Sequence, residues 1–205
     1  MNEGVASSIF YFRNEGRTNL ESTLCKALER AVEKDIAKIV VFTADGEGIF
    51  SLHKMLMDKN VNNMKIIGVT FPQNRPFYTE EKDGKMEKFF PKTSDSEIKE
   101  AIRKIGIPLV QGVMPFEEVI VPGAKQSNMR IIKETLGLFS GGMQLCVQAA
   151  LMATDAGCVD IGESVIAVAA DTAIVVKGAL SEYLFHPHEG LNILEIICKP
   201  SKMTV

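Results

Sequence analysis

The sequence lacks several features that would assign it to a large class of proteins. It has no block of Lys or Arg residues and a formal net charge of -3, which argues against a nucleic-acid or anionic-membrane surface because both need clustered positive charge. Its amino-terminal residues have neither the basic nor the apolar region of a signal peptide. No apolar helix candidate reaches the roughly 20 residues that a bilayer span needs. We therefore expect a cytoplasmic protein that binds small molecules or other proteins.

The four cysteines, Cys25, Cys146, Cys158 and Cys198, lie far apart and form no Cys-x-x-Cys pair. Each has apolar neighbours, which predicts buried, reduced thiols in a reducing compartment. The sequence also has no internal repeat, low-complexity tract or linker. With 205 residues, 46% of them hydrophobic, the chain is expected to form one globular domain over residues 1–205.

Strand and helix patterns alternate through the first two thirds of the chain, which is typical of a parallel sheet with crossover helices. The patterns predict strands at 8–12, 38–43, 64–70, 109–113, 165–169, 172–176 and 194–198, and helices at 18–35, 48–57, 94–105, 125–138 and 142–156. The expected fold class is α/β, with three layers in which a mainly parallel sheet has helices on both faces.

Two segments carry expectations about binding and assembly. Residues 71–93 show no periodicity, and a connection this long is usually a lid, a binding loop or a partner contact, the alternative being a simple surface loop. The helix at 142–156 is apolar almost all round, so either its own domain or a second subunit must cover it. Because its small residues permit close approach, we expect a homo-oligomer.

The strand at 38–43 runs directly into a turn, Thr43-Ala44-Asp45-Gly46-Glu47-Gly48, that opens a helix. In open α/β sheets ligands bind at such junctions, and a helix amino terminus presents N–H groups to an anion. The carboxylates of Asp45 and Glu47 would oppose an anion but would suit a cation, a sugar hydroxyl or a ligand amine. Alternatively, the turn is a plain connection in which Asp45 caps the helix.

Three further groups are expected at the same edge of the sheet. Ser140 can cap a helix, and Gly141 and Gly142 have no side chains to obstruct the first amides of that helix. Alternatively, these glycines only allow close packing. Asn19 either binds ligand or finishes a turn beside a Thr18 cap. The pair Asp171-Thr172 either marks a turn or points into the site. We expect these groups and the 46–48 turn to face one shared cleft.

The sequence predicts no metal site and no catalytic constellation. The run His186-Pro187-His188-Glu189 has metal-binding residue types, but the proline between the two histidines favours a solvated loop. No Ser-His-Asp, Cys-His or paired-carboxylate arrangement can be assigned from spacing.

Several short motifs resemble one known family. They are Asn-Glu-Gly-Arg-Thr-Asn at 14–19, the strand and turn at 41–48, Phe-Ser-Gly-Gly at 139–142, Ala-Asp-Thr-Ala at 170–173 and Ile-Ile-Cys-Lys-Pro at 196–200. In this order they resemble the pyruvate kinase C-terminal-domain-like proteins, which are free-standing α/β domains of largely unassigned function. Pyruvate kinase does its chemistry in a preceding (β/α) barrel of about 250 residues, so the resemblance implies a fold and no kinase activity.

The resemblance also implies a phosphate-bearing ligand, because some pyruvate kinases bind a sugar bisphosphate at the turn equivalent to Thr43–Gly48. Flavin mononucleotide is the cofactor that the free-standing domains suggest. The sequence departs from the family pattern in the carboxylates of Asp45 and Glu47, in Gly48 where a hydroxyl residue is usual, and in the missing glycine-rich loop before Ala170.

We therefore expect a domain that binds or responds to a small metabolite, phosphorylated or nucleotide-like, at the carboxyl edge of the sheet. Two alternatives stay open. One is a flavin-dependent or metal-assisted enzyme that uses Asp45, Glu47 or Asp171, and the other is an oligomeric scaffold with an empty site.

Overall fold

The computed structural model describes residue 4 and the ranges 6–80, 86–117 and 128–202. The strands are β1 (Phe10–Phe12), β2 (Lys38–Phe42), β3 (Lys65–Thr70), β4 (Phe77–Glu80), β5 (Met86–Phe89), β6 (Leu109–Gln111), β7 (Ser164–Val168), β8 (Ala173–Lys177) and β9 (Asn192–Pro200). The helices are α1 (Leu20–Glu33), α2 (Glu47–Asp58), α3 (Ser96–Lys104), α4 (Asn128–Gly137) and α5 (Met143–Asp155). The start predicted for α4, at Lys125, lies outside the described residues.

Seven strands form one sheet in the order β1-β9-β8-β7-β2-β3-β6. β2 pairs in parallel with β3 and β7, β3 with β6, and β1 with β9. β8 pairs antiparallel with both of its neighbours. The four residues 169–172 between β7 and β8 are too few for the crossover that a parallel pair needs. The expected α/β class with a mainly parallel sheet is confirmed.

Alternate side chains of the strands enter two separate cores. On β2, Val40 and Phe42 pack on the face covered by α4 and α5. Ile39 and Val41 pack on the opposite face, which α1, α2 and α3 cover. Burial on both faces explains why β2 is a continuous apolar run in the sequence. The helices on both faces complete the three layers.

Helix α5 is covered by its own chain. Every residue from Cys146 to Thr154 is buried, because α5 packs on β2, β3, β7 and β8 and is flanked by α4. The apolar surface of α5 is thus buried within one copy of the chain, so it no longer supports the expectation of a homo-oligomer. Among the described helices, none is both long and apolar enough to cross a lipid bilayer.

The segment at 71–93 contains a hairpin that the sequence analysis missed. β4 and β5 pair antiparallel, with Phe77 opposite Phe89. A row of aromatic contacts joins this hairpin to the main sheet, since Phe71 lies 4.8 Å from Phe42 and 4.8 Å from Phe77, measured between ring centroids. The guanidinium of Arg75 lies over the rings of Phe71 and Phe77. The hairpin is therefore anchored at the carboxyl end of β2.

All four cysteines lie within the described ranges and are free thiols. Cys146 and Cys198 are buried, whereas Cys25 and Cys158 are partly buried. Burial raises the pKa of Cys198 to about 12 and raises that of Cys146 well above its ordinary value. Both buried thiols are therefore protonated and poorly reactive at neutral pH.

Candidate functional site

The turn after β2 is closed by its own side chains. Thr43 Oγ1 accepts hydrogen bonds from the amides of Gly46 at 2.9 Å and Asp45 at 3.4 Å. Asp45 Oδ1 accepts one from the amide of Glu47 at 3.0 Å. Gly46 has φ 85°, a left-handed conformation that favours glycine. The amides of residues 45–47 are therefore already paired with side chains of the turn.

The two carboxylates of this turn bind a cation from the same chain. The Arg17 guanidinium forms ion pairs with both Asp45 and Glu47. The hydrogen bond to Glu47 raises the pKa of Arg17 above its ordinary value, and the negative charge of Asp45 acts in the same direction. Asp45 is only 12% exposed, whereas Arg17 and Glu47 are each 57% exposed. The two carboxylates, for which a cation, a sugar hydroxyl or a ligand amine was expected as partner, are therefore paired with a cation of the same chain.

A second group of polar residues joins the amino terminus of α5 to the turn between β7 and β8. Ser140 Oγ lies 2.8 Å from Thr172 Oγ1 and accepts a hydrogen bond from the amide of Met143 at 3.0 Å. Thr172 Oγ1 lies 3.0 Å from Asp171 Oδ1, and the other Asp171 oxygen accepts a hydrogen bond from the amide of Gly16 at 2.7 Å. Asp171 thus marks a turn and is also buried and hydrogen-bonded.

The two glycines at this helix terminus differ in what surrounds them. A Cβ added at Gly142 would lie 2.6 Å from Thr172 Oγ1, whereas a Cβ added at Gly141 would meet no atom within 4 Å. Gly142 is therefore needed for close packing, which was the alternative considered for both glycines. Ser140 caps α5, as its position predicted.

Asn19 finishes a turn and does not face the cavity described next. Its side-chain amide donates to the carbonyl of Asn14 at 2.8 Å. The expected Thr18 cap is wrong, because residues 17–19 form a short 3-10 turn and α1 begins without a side-chain cap. The adjacent Thr23 hydroxyl reaches the Ala170 carbonyl at 3.2 Å, so this end of α1 packs against the β7–β8 turn.

A cavity of about 190 Å³ lies at the carboxyl ends of β2 and β7. Most of its walls are apolar, and its polar atoms come from Arg17, Thr43 and Asp45. The walls are Leu20, Phe42, Ala44, Gly48, Phe71, Leu145, Ala169 and Ala170. β2 and β7 are neighbours in the sheet, but the chain continues from β2 to β3 on one side and from β7 to β8 on the other side. The cavity therefore lies where the strand connections diverge, which is the usual ligand position in open α/β sheets.

The structure divides the predicted site residues into two groups. Thr43, Asp45 and Gly48 line the cavity, whereas Gly46 and Glu47 complete the turn behind it. Ser140, Gly142, Asp171 and Thr172 form the hydrogen-bonded cluster next to it. Both groups lie at the same edge of the sheet, and Ala169 and Ala170 connect them through the β7–β8 turn.

Sequence reasoning missed Arg17, Phe71 and Leu145. Arg17 belongs to the motif at 14–19, but its acidic partners lie about 30 residues further along the chain. Phe71 follows β3 directly, so its position at a strand end was a signal that could have identified it. Leu145 is part of an all-round apolar helix, in which nothing in the sequence distinguishes it from core residues.

The histidine-bearing loop is exposed and hydrogen-bonded internally. His186 Nδ1 accepts from the amides of His188 at 3.3 Å and Glu189 at 3.1 Å. Among the described residues, no group of three or more His, Cys, Asp or Glu side chains is arranged to hold a metal ion.

No family model matches the chain. It is similar to a crystal structure of Cryptosporidium parvum pyruvate kinase at 16% identity and a TM-score of 0.36, over 77% of this chain and 22% of that one. A second pyruvate kinase structure from the same organism matches at 15% identity and a TM-score of 0.33, over 86% and 22%.

Both neighbours are pyruvate kinase chains, and the chain spans about a fifth of their length.

Proposed function

We propose that this chain is a small-metabolite-binding or regulatory domain whose ligand occupies the cavity at the carboxyl ends of β2 and β7. The observation that carries the proposal is the cavity itself, which combines apolar walls with three polar side chains at the point where the strand connections diverge. Ligand sites in α/β proteins have this composition and this position.

The size and walls of the cavity favour a flat ring as the buried part of the ligand. Its volume of about 190 Å³ is below the roughly 300–1,000 Å³ typical of sites that enclose a whole ligand. Phe42 and Phe71 form part of the wall, and aromatic faces favour stacking with planar groups. A heterocyclic ring therefore enters the cavity, and the rest of the ligand extends over its rim.

The polar side of the cavity favours hydroxyl or N–H groups next to the ring. Asp45 is an acceptor and Thr43 is both donor and acceptor. Two carboxylates and one guanidinium leave this turn with one negative charge, so a phosphate is disfavoured beside it. A phosphate is better accommodated at the exposed Gly141, one turn before Leu145, where the positive end of the α5 dipole lies. A nucleotide-like metabolite meets both requirements.

The test is a thermal-unfolding screen with flavin mononucleotide, adenosine monophosphate and a sugar bisphosphate, followed by equilibrium dialysis of any compound that stabilises the protein. A ligand at 100 times its Kd stabilises the folded state by about 2.7 kcal/mol, which raises the Tm of a chain of this size by roughly 5 to 10 °C. A yellow purified protein would identify a flavin directly.

Two variants connect binding to the cavity. Ala170→Leu fills part of the cavity, and Gly141→Trp obstructs the proposed phosphate position, so both should remove the stabilisation by ligand. The matched control is Ala156→Leu, at an exposed alanine just after α5. The proposal is overturned if none of the compounds stabilises the protein, or if the Ala170 variant keeps the full ligand effect.

A further inference from the structure

A second cavity, of about 600 Å³, lies at the opposite edge of the sheet. Lys38 and Lys65, the first residues of β2 and β3, line it together with the end of α2, residues 105–108 after α3 and residues 157–158 after α5. Thr43 lies five residue steps along the strand from Lys38, which places this cavity roughly 16 Å from the one at the carboxyl edge. Its volume is within the range of pockets that enclose a small molecule.

The walls of this second cavity are mainly apolar. Leu56, Met57, Val61, Met64, Ile66 and Ile107 are among the residues that form them. Met57 is 54% exposed, so an apolar ligand would remove part of this side chain from water. Burial of apolar surface of this kind favours binding. The cavity is therefore suited to a ligand with a hydrophobic body.

The charged groups at the second cavity are basic. Lys38 and Lys65 are register partners on neighbouring parallel strands, so their side chains start from one face of the sheet, the face of Val40 and Ile67 that α5 covers. The end of α2 lies on the other face, and the cavity contacts both groups around the starts of the strands. No Asp or Glu is among the residues that line the cavity in the described part of the chain. Lys38 Nζ donates to Glu163 at 2.7 Å. Two ammonium groups and one carboxylate leave one positive charge.

The pair between Lys38 and Glu163 fixes the position of the first ammonium group. Burial alone would raise the pKa of Glu163, but the hydrogen bonds from Lys38 and from the Asp160 amide bring it below its ordinary value, and the charges of Lys38 and Lys65 act in the same direction. Lys38 and Glu163 are only 17% and 27% exposed, whereas Lys65 is exposed. Lys65 is thus the group available to an incoming anion.

We propose that this cavity binds an amphiphilic carboxylate, with its hydrophobic body against the end of α2 and its head group at Lys65 and Lys38. One available ammonium group neutralises a singly charged head, whereas a doubly charged phosphate would leave its second charge without a partner beside apolar walls. This site is separate from the one under Proposed function and does not depend on it.

The test follows the three histidines of the chain by NMR during titration with octanoate. His53 lines the cavity, whereas His186 and His188 lie in the exposed loop after β8. The Hε1 signal of His53 should move and saturate while the other two stay in place. Octylammonium has the same tail and the opposite charge, and it should leave the His53 signal unchanged.

Lys65→Gln should weaken octanoate binding about two- to fivefold, the usual range for one partly exposed charge. Lys54→Gln is the matched control, because Lys54 is an exposed lysine of α2 that does not line this cavity, and it should leave the affinity unchanged. A His53 signal that octanoate does not move, that octylammonium moves equally, or that responds equally in the Lys65 variant overturns the proposal.

Discussion

Gly142 is the position where a single added methyl group should have the clearest effect on stability. In Gly142→Ala the new Cβ would lie 2.6 Å from Thr172 Oγ1 and 2.8 Å from Thr172 Cβ, distances that real Cβ atoms essentially never show. Thr172 is completely buried, and its hydroxyl contacts both Ser140 and Asp171. The clash is therefore relieved only by disturbing the hydrogen-bonded cluster or by shifting the start of α5.

The expected cost has two parts. Overpacking a well-packed site costs about 1–3 kcal/mol, and a weakened buried hydrogen bond costs about 0.5–1.5 kcal/mol. Gly142 has helical dihedral angles, φ -74° and ψ -23°, so alanine fits this backbone and recovers about 0.4–1 kcal/mol through the unfolded state. We expect a net loss of roughly 1–4 kcal/mol in the free energy of unfolding, which corresponds to a Tm lower by roughly 2 to 16 °C in a chain of this length.

The measurement is urea unfolding of Gly142→Ala followed by far-UV circular dichroism, with Gly141→Ala as the control. The control adds the same methyl group one residue earlier, where it meets no atom within 4 Å, so its stability should stay within about 0.5 kcal/mol of the parent protein. Equal effects in the two variants would refute the reasoning, as would a Gly142 variant as stable as the parent.

Three further predictions concern other buried groups. Burial alone would raise the pKa of Glu195, but hydrogen bonds from neighbouring side chains and two basic groups lower it. Because a lowered pKa in the folded state adds stability above the ordinary pKa of 4.5, Glu195→Gln should cost about 1–2 kcal/mol at pH 7. The cost should shrink as the pH falls below 4.5, which urea midpoints measured across pH would show. Cys146 and Cys198 should react with a thiol reagent only after unfolding, and rapid labelling of either in native protein would contradict the burial described above. Thr93→Val should cost about 1–3 kcal/mol because Thr70, whose hydroxyl lies 2.6 Å away, loses a buried partner, and Thr70→Val in the same chain should restore most of that loss in urea unfolding.

The sequence predicts the main sheet well because each buried strand is a short apolar run between helices with a polar face. It fails at β4 and β5, where Met86–Phe89 is exposed throughout. Neither face of that hairpin packs in the main cores, so no period-two pattern arises. Cross-strand contacts such as Phe77 with Phe89 stabilise it instead, and these depend on a pairing that is not visible along the chain.

The position of the candidate site was more predictable than its chemistry. The carboxyl ends of parallel strands gather at one edge, so Thr43 and Asp171 were expected to lie near each other. The ion pairs of Arg17 with Asp45 and Glu47 join residues about 30 positions apart through two loops. Such pairing depends on tertiary structure, and it gives the two carboxylates of an apparent cation site a cationic partner from the same chain.

The direction of the strands gives the two edges of this sheet different chemistry. At the amino edge, Lys38 and Lys65 begin adjacent strands and produce a net positive charge beside apolar walls. At the carboxyl edge, the turn after β2 has one excess negative charge beside an aromatic cavity. A ligand anion is attracted to the first edge and is repelled beside the second, where rings and hydroxyl groups are favoured. The two cavities should therefore bind different ligands at the same time. Saturating the amino edge with octanoate should leave the affinity of the carboxyl edge for its own ligand unchanged. A change in that affinity would mean that the strands between the two cavities move.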